Sequence, residues 1–152
     1  MAKWLIKSEP KTYSIDDFAR DKTTQWNGVR NYQARNFLQA MRESDEVLFY
    51  HSNAEPPAIV GVGEVAREAY PDTQQFDSRS EYFDAKATKE KPIWFAPDLS
   101  FVSKFPRAIP LEELRKHDEL SGMALLKRGS RLSVQPISDL EWDFITALQS
   151  SK

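Results

Sequence analysis

One short stretch of the chain combines aromatic, cationic, amide and glycine residues: Trp26-Asn27-Gly28-Val29-Arg30-Asn31-Tyr32-Gln33-Ala34-Arg35-Asn36. So many polar groups need hydrogen-bond partners that this stretch cannot lie mainly in a core. Asn27-Gly28 is typical of a tight turn, because glycine tolerates a positive φ. Asn31 is placed to cap a helix from about Tyr32 to Met41, along which apolar residues recur at helical spacing. The stretch therefore predicts a turn that leads into a helix.

The turn and the first helical turn would present Trp26, Arg30 and Asn31 together, beside unpaired backbone N–H groups. A flat ring, a guanidinium and an amide suit the recognition of a planar ligand that forms hydrogen bonds. A helix-entry loop whose polar groups satisfy one another would use the same residue types. Both interpretations stay open on this stretch alone.

The composition is that of an ordinary soluble globular protein: 152 residues, 40% of them hydrophobic and 29% charged, which predicts one domain over residues 1–152. The absence of cysteine excludes disulfides, thiolate metal ligands and cysteine nucleophiles. The two histidines, His51 and His117, are too few for a histidine-rich metal site, so we expect neither metal nor cofactor. No apolar run reaches membrane-spanning length and no signal peptide is evident. We therefore expect a cytoplasmic protein (nuclear in a eukaryote) without a membrane partner.

The formal net charge of −2 argues against sequence-blind coating of nucleic acid. The charge is nevertheless uneven, because between positions 20 and 42 a single acid, Asp21, faces five basic residues: Arg20, Lys22, Arg30, Arg35 and Arg42. A second basic cluster comprises Lys127, Arg128 and Arg131. A local basic site thus remains compatible with the overall charge.

Strand patterns recur along the chain, starting with an apolar run from Lys3 to Lys7. A second run spans 47–51 and a third spans 58–65, and we expect these two to pair antiparallel. The third contains Gly61 and Gly63, which mark either room for a ligand ring or a tightly curved strand. From Tyr70 to Pro92 the chain reads as a long surface connection. Strands mixed with peripheral helices, without a repeating βαβ order, predict an α+β fold built on a small curved sheet or barrel.

Four blocks of sequence closely resemble the EVE domain family of the PUA-like superfamily: Lys7-Ser8-Glu9-Pro10, the stretch 26–36, Phe49-Tyr50-His51-Ser52-Asn53 and Arg131-Leu132-Ser133-Val134-Gln135-Pro136. The resemblance covers nearly the whole chain. It implies an α+β, PUA-like curved sheet or pseudo-barrel with peripheral helices and a pocket beside the sheet. It also implies a reader of a modified base in DNA or RNA, methylated or hydroxymethylated, as in 5-methylcytosine.

Roles for individual residues follow from the resemblance by position, and they are consistent with what a flipped base requires. Stacking is assigned to Trp26, and contacts to the edge of the base are assigned to Ser8, Asn31, His51 and Ser52. Phosphate contacts are assigned to Lys7, Arg30 and Arg128, and recognition of the methyl group to Val29 and Gly61. Tyr50 and Gln135, from the resembling blocks, complete the predicted site. No catalytic residue is predicted, and a monomer is presumed.

Two other functions are compatible with some of the same residues. Related domains of the ASCH type resemble amidohydrolases that use a lysine and a glutamate, and this chain has Lys7 and Glu9, so a small hydrolase acting on a modified nucleoside is the alternative. A serine next to a histidine in a strand, as at His51 and Ser52, points to the opposite face and is poorly placed for nucleophilic activation. Exposed aromatics in the long connection would instead suit a protein-interaction module: Tyr70, Phe76, Tyr82 and Phe83. We expect binding rather than catalysis.

Overall fold

The computed structural model of the chain describes residues 1–150, and in that range a six-stranded sheet is flanked by helices. In chain order the strands are β1 (Lys3–Ser8), β2 (Thr23–Gln25), β3 (Glu46–His51), β4 (Ala58–Pro71), β5 (Phe95–Pro110) and β6 (Val134–Ile137). The α-helices are α1 (Ile15–Asp21), α2 (Tyr32–Ala40), α3 (Leu111–Leu114) and α4 (Asp139–Leu148). Short 3₁₀ helices span Thr73–Phe76, Asp118–Leu120 and Ala124–Leu126.

The strands lie in the order β2-β5-β4-β3-β1-β6. The pair β1–β3 is parallel, and the other neighbouring pairs are antiparallel, including the predicted pair β3–β4. The register between β4 and β5 shifts repeatedly, as at Ile59/Gly61 and Arg67/Tyr70. Such bulges bend and twist long strands, so they produce the curved sheet of the predicted α+β, PUA-like fold.

Strand β4 continues to Pro71, well beyond the predicted end at Val65. Residues 66–68 are exposed, so the apolar pattern that marks a strand is missing there although the strand continues. Two further runs of strand character, 93–95 and 99–105, are separate in the sequence, but Phe95 and the whole of the second run lie in the single strand β5. Strands β4 and β5 pair with each other through several bulges, and this pairing extends both strands into polar segments that lack an apolar strand pattern.

Alternate residues of the sheet contribute to two hydrophobic clusters, one on each face. Trp4 and Ile6 of β1 lie in the cluster that also contains Phe18, Trp26 and Phe49. Leu5, which lies between them in sequence, belongs to the opposite cluster. That cluster also contains large side chains from the sheet and the carboxyl-terminal helix, among them Leu48, Tyr50, Ile109, Trp142 and Ile145. The stretch around Trp26 thus belongs to the same face as α1 and α2.

Helices α1, α2 and α4 begin at caps that the sequence indicates: the predicted Asn31, and the serine–acid pairs Ser14/Asp17 and Ser138/Glu141 at capping-box spacing. Ser14 and Asp17 form a reciprocal capping box on α1, and Ser138 and Glu141 form one on α4. The side chain of Asn31 accepts a hydrogen bond from the N–H of Ala34 at the start of α2 (2.9 Å). These caps satisfy donors that the first helical turn leaves free.

Helix α1 lies directly on the two glycines of β4. A Cβ atom at Gly61 would lie 2.6 Å from Ile15 Cδ1 and 2.6 Å from the carbonyl oxygen of Ser103. A Cβ at Gly63 would lie 2.9 Å from an edge atom of the Phe18 ring. The space above Gly61 is therefore filled by α1, and the prediction that it leaves room for a ligand ring is wrong. The two glycines allow a helix, rather than a ligand, to approach the backbone.

We expect Gly61→Ala to lower the free energy of unfolding by about 1–3 kcal/mol, as overpacking of a core does. The added methyl group meets a backbone oxygen of β5, which cannot move unless the strand moves. Urea unfolding followed by circular dichroism measures the change.

Gly122→Ala is the matched control, because the nearest atom to its added Cβ would be Glu141 Oε2 at 3.8 Å, an ordinary contact. Its stability should stay within about 0.5 kcal/mol of the unsubstituted chain. A Gly61→Ala variant as stable as this control would contradict the close approach of α1 to β4.

Candidate functional site

A cavity of about 580 Å³ lies at the carboxyl end of β1. Its wall is formed by residues 7–9, 12–13, 24–30 and 81–82, together with Ser133. The wall therefore combines the end of β1, the entry to α1, the turn before α2 and the long connection between β4 and β5. A volume of this size is within the range of small-molecule and cofactor sites.

Some of the predicted site residues line this cavity and others do not. In its wall lie Lys7, Ser8, Trp26, Val29 and Arg30. Outside it lie Asn31, Tyr50, His51, Ser52, Gly61, Arg128 and Gln135. The structure thus brings the first block of the resemblance together with the first half of the stretch 26–36.

Trp26 contributes to the cavity and to the core at once. The residue is only 9% exposed, and its ring packs edge-on against Phe49 (5.6 Å between centroids) and Tyr13 (6.1 Å). Tyr13 also lines the cavity. Core packing therefore fixes the orientation of the indole, and this part of the cavity wall is rigid and aromatic.

A buried carboxylate holds the turn that follows Trp26. Asp72 is 1% exposed, and its Oδ2 accepts hydrogen bonds from the N–H of Gly28 (2.8 Å) and from Nη1 of Arg30 (3.1 Å). The Nε of Arg30 donates to the carbonyl of Tyr82 at 2.9 Å. The guanidinium of Arg30 is thus committed to holding two loops together. These hydrogen bonds engage Nε and Nη1 of Arg30, and its role as a phosphate contact stays a prediction.

Tyr82 is a wall residue that sequence reasoning assigned only to a surface loop. A Cβ atom at Gly28 would lie 2.9 Å from Tyr82 Cζ, and Gly28 has a φ of 82°. The Arg30 guanidinium lies 5.5 Å from the centre of the Tyr82 ring. The sequence predicted a turn at Gly28, where a glycine also lets another group approach the backbone closely. No pattern near Gly28 in the sequence indicates that this group is Tyr82.

The polar groups of the wall are partly engaged with the protein itself. Lys7 Nζ donates to the carbonyl of Ser130 (3.3 Å), and burial lowers the pKa of Lys7. Ser8 Oγ donates to the carbonyl of Tyr13 (2.6 Å). Burial, together with a hydrogen bond to Asp21, raises the pKa of Tyr13 to about 12, so its phenol stays neutral at physiological pH.

Two nitrogen donors of the wall residues are left over. Within residues 1–150, Gln25 Nε2 and Arg30 Nη2 are buried without a hydrogen-bond partner. Buried donors without partners are uncommon and costly in folded proteins. Both nitrogens belong to residues that line the cavity, although the two atoms themselves are closed to solvent.

Four predicted residues outside the cavity have structural roles. His51 Nε2 accepts the backbone N–H of Ile15 (3.0 Å) and so anchors the first residue of α1. Asn31 caps α2, and Tyr50 is buried in the cluster on the opposite face of the sheet. Gln135 is fully buried, and its Oε1 accepts the N–H of Leu125 (2.7 Å). All four lie outside the cavity wall, and their assignment to a base pocket stays a prediction.

The other predicted residues outside the cavity wall are Ser52, Gly61 and Arg128, and the roles assigned to Ser52 and Arg128 stay predictions. The backbone N–H of Ser52 donates to the carbonyl of Ser8 (3.0 Å), which extends the pairing of β1 and β3 beyond the strands. Gly61 lies beneath α1, and Arg128 is an exposed residue of the loop before β6. His51 Nε2 accepts from Ile15, so this nitrogen is not free to activate Ser52.

Two searches over residues 1–150 bear on other kinds of site. In that range, His, Asp and Glu side chains do not gather in a group of three that could hold a metal ion. Over the same residues, the helices are too short or too polar to cross a membrane.

The curved mixed sheet with helices at its rim defines a PUA-like α+β domain. The EVE domain family model matches residues 2–148, and the chain belongs to the EVE domain family. This confirms the resemblance carried by the four sequence blocks.

Relatives with names or solved structures cover nearly all of the chain. Thymocyte nuclear protein 1 of Gallus gallus is 42% identical over 168 aligned residues, which cover 98% of this chain and 69% of the relative. A crystal structure of a Pseudomonas syringae protein has a TM-score of 0.94 and 47% identity, covering 97% of this chain and 99% of that one. Human THYN1 protein, solved in complex with 5-methylcytosine containing DNA, has a TM-score of 0.93 and 39% identity, covering 100% of this chain and 99% of that one.

A more distant likeness concerns the alternative function. An ASCH protein of Zymomonas mobilis has a TM-score of 0.56 at 10% identity, which shows a shared fold alone. The presence of Lys7 and Glu9 in the cavity wall therefore gains no support from that relative as a catalytic pair.

We expect the native chain to lose stability as the pH falls below about 6.5, the ordinary pKa of histidine. Burial lowers the pKa of His51, and its Nε2 must be unprotonated to accept the N–H of Ile15. The unfolded chain therefore takes up a proton at a higher pH than the folded chain, and the unfolding free energy declines over that interval. Urea unfolding at several values between about pH 7 and pH 5 measures the decline.

His51→Gln is the control, because the amide oxygen of glutamine can accept from Ile15 without titrating. Its stability should fall less over the same interval, since the carboxylates that contribute at lower pH are common to both proteins. Parallel declines in the two proteins would contradict the assigned role of His51.

Proposed function

We propose that this chain binds DNA that carries 5-methylcytosine, and that the cavity at the carboxyl end of β1 receives the modified base, turned out of its stack. One observation supports this most strongly: the cavity lies in a chain 39% identical, over its whole length, to human THYN1, which was solved in complex with 5-methylcytosine containing DNA. In this proposal residues 1–152 act as a single EVE domain. Access to DNA places it in the cytoplasm of a prokaryote or the nucleus of a eukaryote.

The walls of the cavity suit a flat aromatic ligand. Trp26, Tyr13 and Tyr82 supply ring surface from three separate segments. Stacking on an aromatic side chain contributes about 1–3 kcal/mol per base, which offsets the cost of removing the base from the duplex. Val29, also in the wall, is the apolar side chain that we assign to the methyl group.

The remaining polar groups suit the hydrogen-bonding edge of cytosine, which presents both donors and acceptors. Gln25 has an amide donor without a protein partner, and its carbonyl can accept. Glu9 and Thr24 add a carboxylate and a hydroxyl to the same wall. These side chains give the wall both donors and acceptors, which the edge of a base requires.

We propose that the site binds without chemical turnover. The His51 nitrogen that could act as a base is occupied by Ile15, and the high pKa of Tyr13 keeps its hydroxyl neutral. Lys7 donates to a backbone carbonyl rather than to a substrate position. These engagements suit a rigid binding pocket better than proton transfer.

The experiment is a binding panel read by fluorescence anisotropy, with mass analysis of the recovered ligand. Otherwise identical DNA and RNA oligonucleotides, single- and double-stranded, carry cytosine, 5-methylcytosine, 5-hydroxymethylcytosine or N6-methyladenine. We expect preference for 5-methylcytosine in DNA, recovery of the ligand unchanged, and a shallow salt dependence because the net charge is only −2.

Flat binding across all the bases with a steep salt dependence would overturn the pocket model, because backbone contacts carry no base preference. Conversion of a modified nucleoside to a product would favour the hydrolase. Preference for the modified base in RNA alone would keep the pocket but change the partner.

Two neighbouring residues provide a matched pair of variants. Tyr82 lines the cavity, whereas Phe83 is exposed and lies outside its wall. We expect Tyr82→Ala to weaken binding of the 5-methylcytosine oligonucleotide by about 10- to 100-fold, the equivalent of one stacking contact. Phe83→Ala should bind like the unsubstituted chain. Equal affinities for the two variants would contradict the assignment of this cavity as the base pocket.

A further inference from the structure

Tyr32 is an exposed aromatic residue with one supported face. It is 58% exposed, although its ring stacks on Trp94 at 5.0 Å between centroids and an interplanar angle of 24°. Trp94 is only 5% exposed, so its ring is fixed in the protein and supports the Tyr32 ring. Tyr32 is also the first residue of α2, directly after the Asn31 cap. Packing and capping together hold this ring in place.

Arg35 lies beside the stacked pair. Its Cζ is 4.9 Å from the centre of the Tyr32 ring and 5.9 Å from the centre of the Trp94 ring. These distances are close to the spacing of the two rings, so Arg35 flanks the stack. A position on the far side of Tyr32 would place it about twice as far from Trp94. The outward face of Tyr32 is thus not covered by Arg35.

The guanidinium of Arg35 is held in this position by its own hydrogen bonds. Nη1 donates to the carbonyl of Ile93 (3.0 Å), while Nε and Nη2 donate to Oδ1 of Asn36 (3.2 and 2.9 Å). Neither partner is charged, so the positive charge of Arg35 is not neutralised by these contacts. A fixed cation beside an open aromatic face is typical of surfaces that bind single-stranded nucleic acid.

This surface is continuous with the cavity. Arg30 lies between Trp94 (5.3 Å) and Tyr82 (5.5 Å), measured from its Cζ to the ring centres. Tyr82 faces the cavity and Tyr32 faces the outside. A row of contacts from Tyr82 through Arg30 and Trp94 therefore leads from the cavity wall to Tyr32, with Arg35 beside its end. A purely structural role for Tyr32, in which its ring covers Trp94, accounts for the inner face of the ring. It does not account for the exposed outer face or for the position of Arg35 beside it.

We propose that Tyr32 and Arg35 form a second contact with the bound DNA strand, next to the cavity. The outward face of Tyr32 stacks on the nucleobase adjacent to the flipped one, and Arg35 faces a phosphate of the same strand. A base whose neighbour has left the stack has lost a stacking partner, and the tyrosine ring replaces it. The contact is tolerant of sequence because every base has a π-face. It rests on the proposed function and adds a site outside the cavity.

Ligand length separates this contact from the cavity. The first probe is 5-methyl-2′-deoxycytidine monophosphate, which is too short to reach beyond the cavity to Tyr32. The second is single-stranded DNA of increasing length with 5-methylcytosine at its centre. We expect affinity to rise with length in the unsubstituted chain. Tyr32→Ala should bind the longer DNA about 10- to 100-fold more weakly, from the loss of one stacked base, and bind the mononucleotide unchanged.

Two variants control for other effects of the substitution. Tyr32→Phe keeps the ring and should bind like the unsubstituted chain. Leu140→Ala removes another exposed apolar side chain, 83% exposed on α4, and should also leave binding unchanged. Circular dichroism and thermal unfolding check that each variant is folded.

Charge provides a second measurement that does not depend on the tyrosine. Arg35→Gln should reduce the slope of log affinity against log salt by about one, the value for one phosphate contact. Arg42→Gln, which removes an exposed arginine paired with Glu68, should leave the slope unchanged.

Several outcomes would overturn the proposal. If Tyr32→Ala binds long DNA normally, or loses affinity equally for the mononucleotide and long DNA, Tyr32 is not a separate strand contact. A salt slope unchanged by Arg35→Gln would remove the phosphate contact. If the unsubstituted chain binds neither the mononucleotide nor the modified DNA, the proposed function is overturned, and the strand contact with it.

Discussion

The arrangement of the site depends on the buried carboxylate of Asp72. It accepts from the N–H of Gly28 and from the guanidinium of Arg30, and its other oxygen accepts from the N–H of Gln74 (2.8 Å). A carboxylate with several charge-assisted hydrogen bonds is a strong and directional constraint in a buried setting. Removing one partner would leave the others unsatisfied, which is costly. This one side chain therefore ties the turn before α2 to the long connection, and the cavity wall forms where they meet.

The other side of the cavity is positioned by the close approach of α1 to the sheet. Gly61 and Gly63 let Ile15 and Phe18 rest on the backbone of β4, and His51 holds the first N–H of the helix. The chain that leads into α1 carries residues 12–13 of the wall. The base proposed for the cavity would thus rest between two loops that are each fixed by buried contacts, and little reorganisation is needed on binding.

What the sequence predicted well was local. Asn31 and the two capping boxes act on N–H groups within three residues, and the EVE family blocks recover the fold because they span the chain. The contacts that make the site are distant in sequence: Asp72 and Gly28 are 44 residues apart, and His51 and Ile15 are 36 apart. No local pattern distinguishes a histidine that holds a helix from one that faces a ligand. The sequence identifies the polar residues, but only the structure shows which groups they bind.

The origin of the cavity wall in distant segments has a thermodynamic consequence. Because residues 7–9, 12–13, 24–30, 81–82 and 133 meet only in the folded chain, an unfolded chain has no equivalent site. A ligand of the cavity must then bind the folded state alone and stabilise it by mass action, by about 2.7 kcal/mol at a hundred times its dissociation constant. The midpoint temperature of unfolding therefore rises when a ligand occupies the cavity, so unlabelled nucleotides can be ranked by the increase that each one causes.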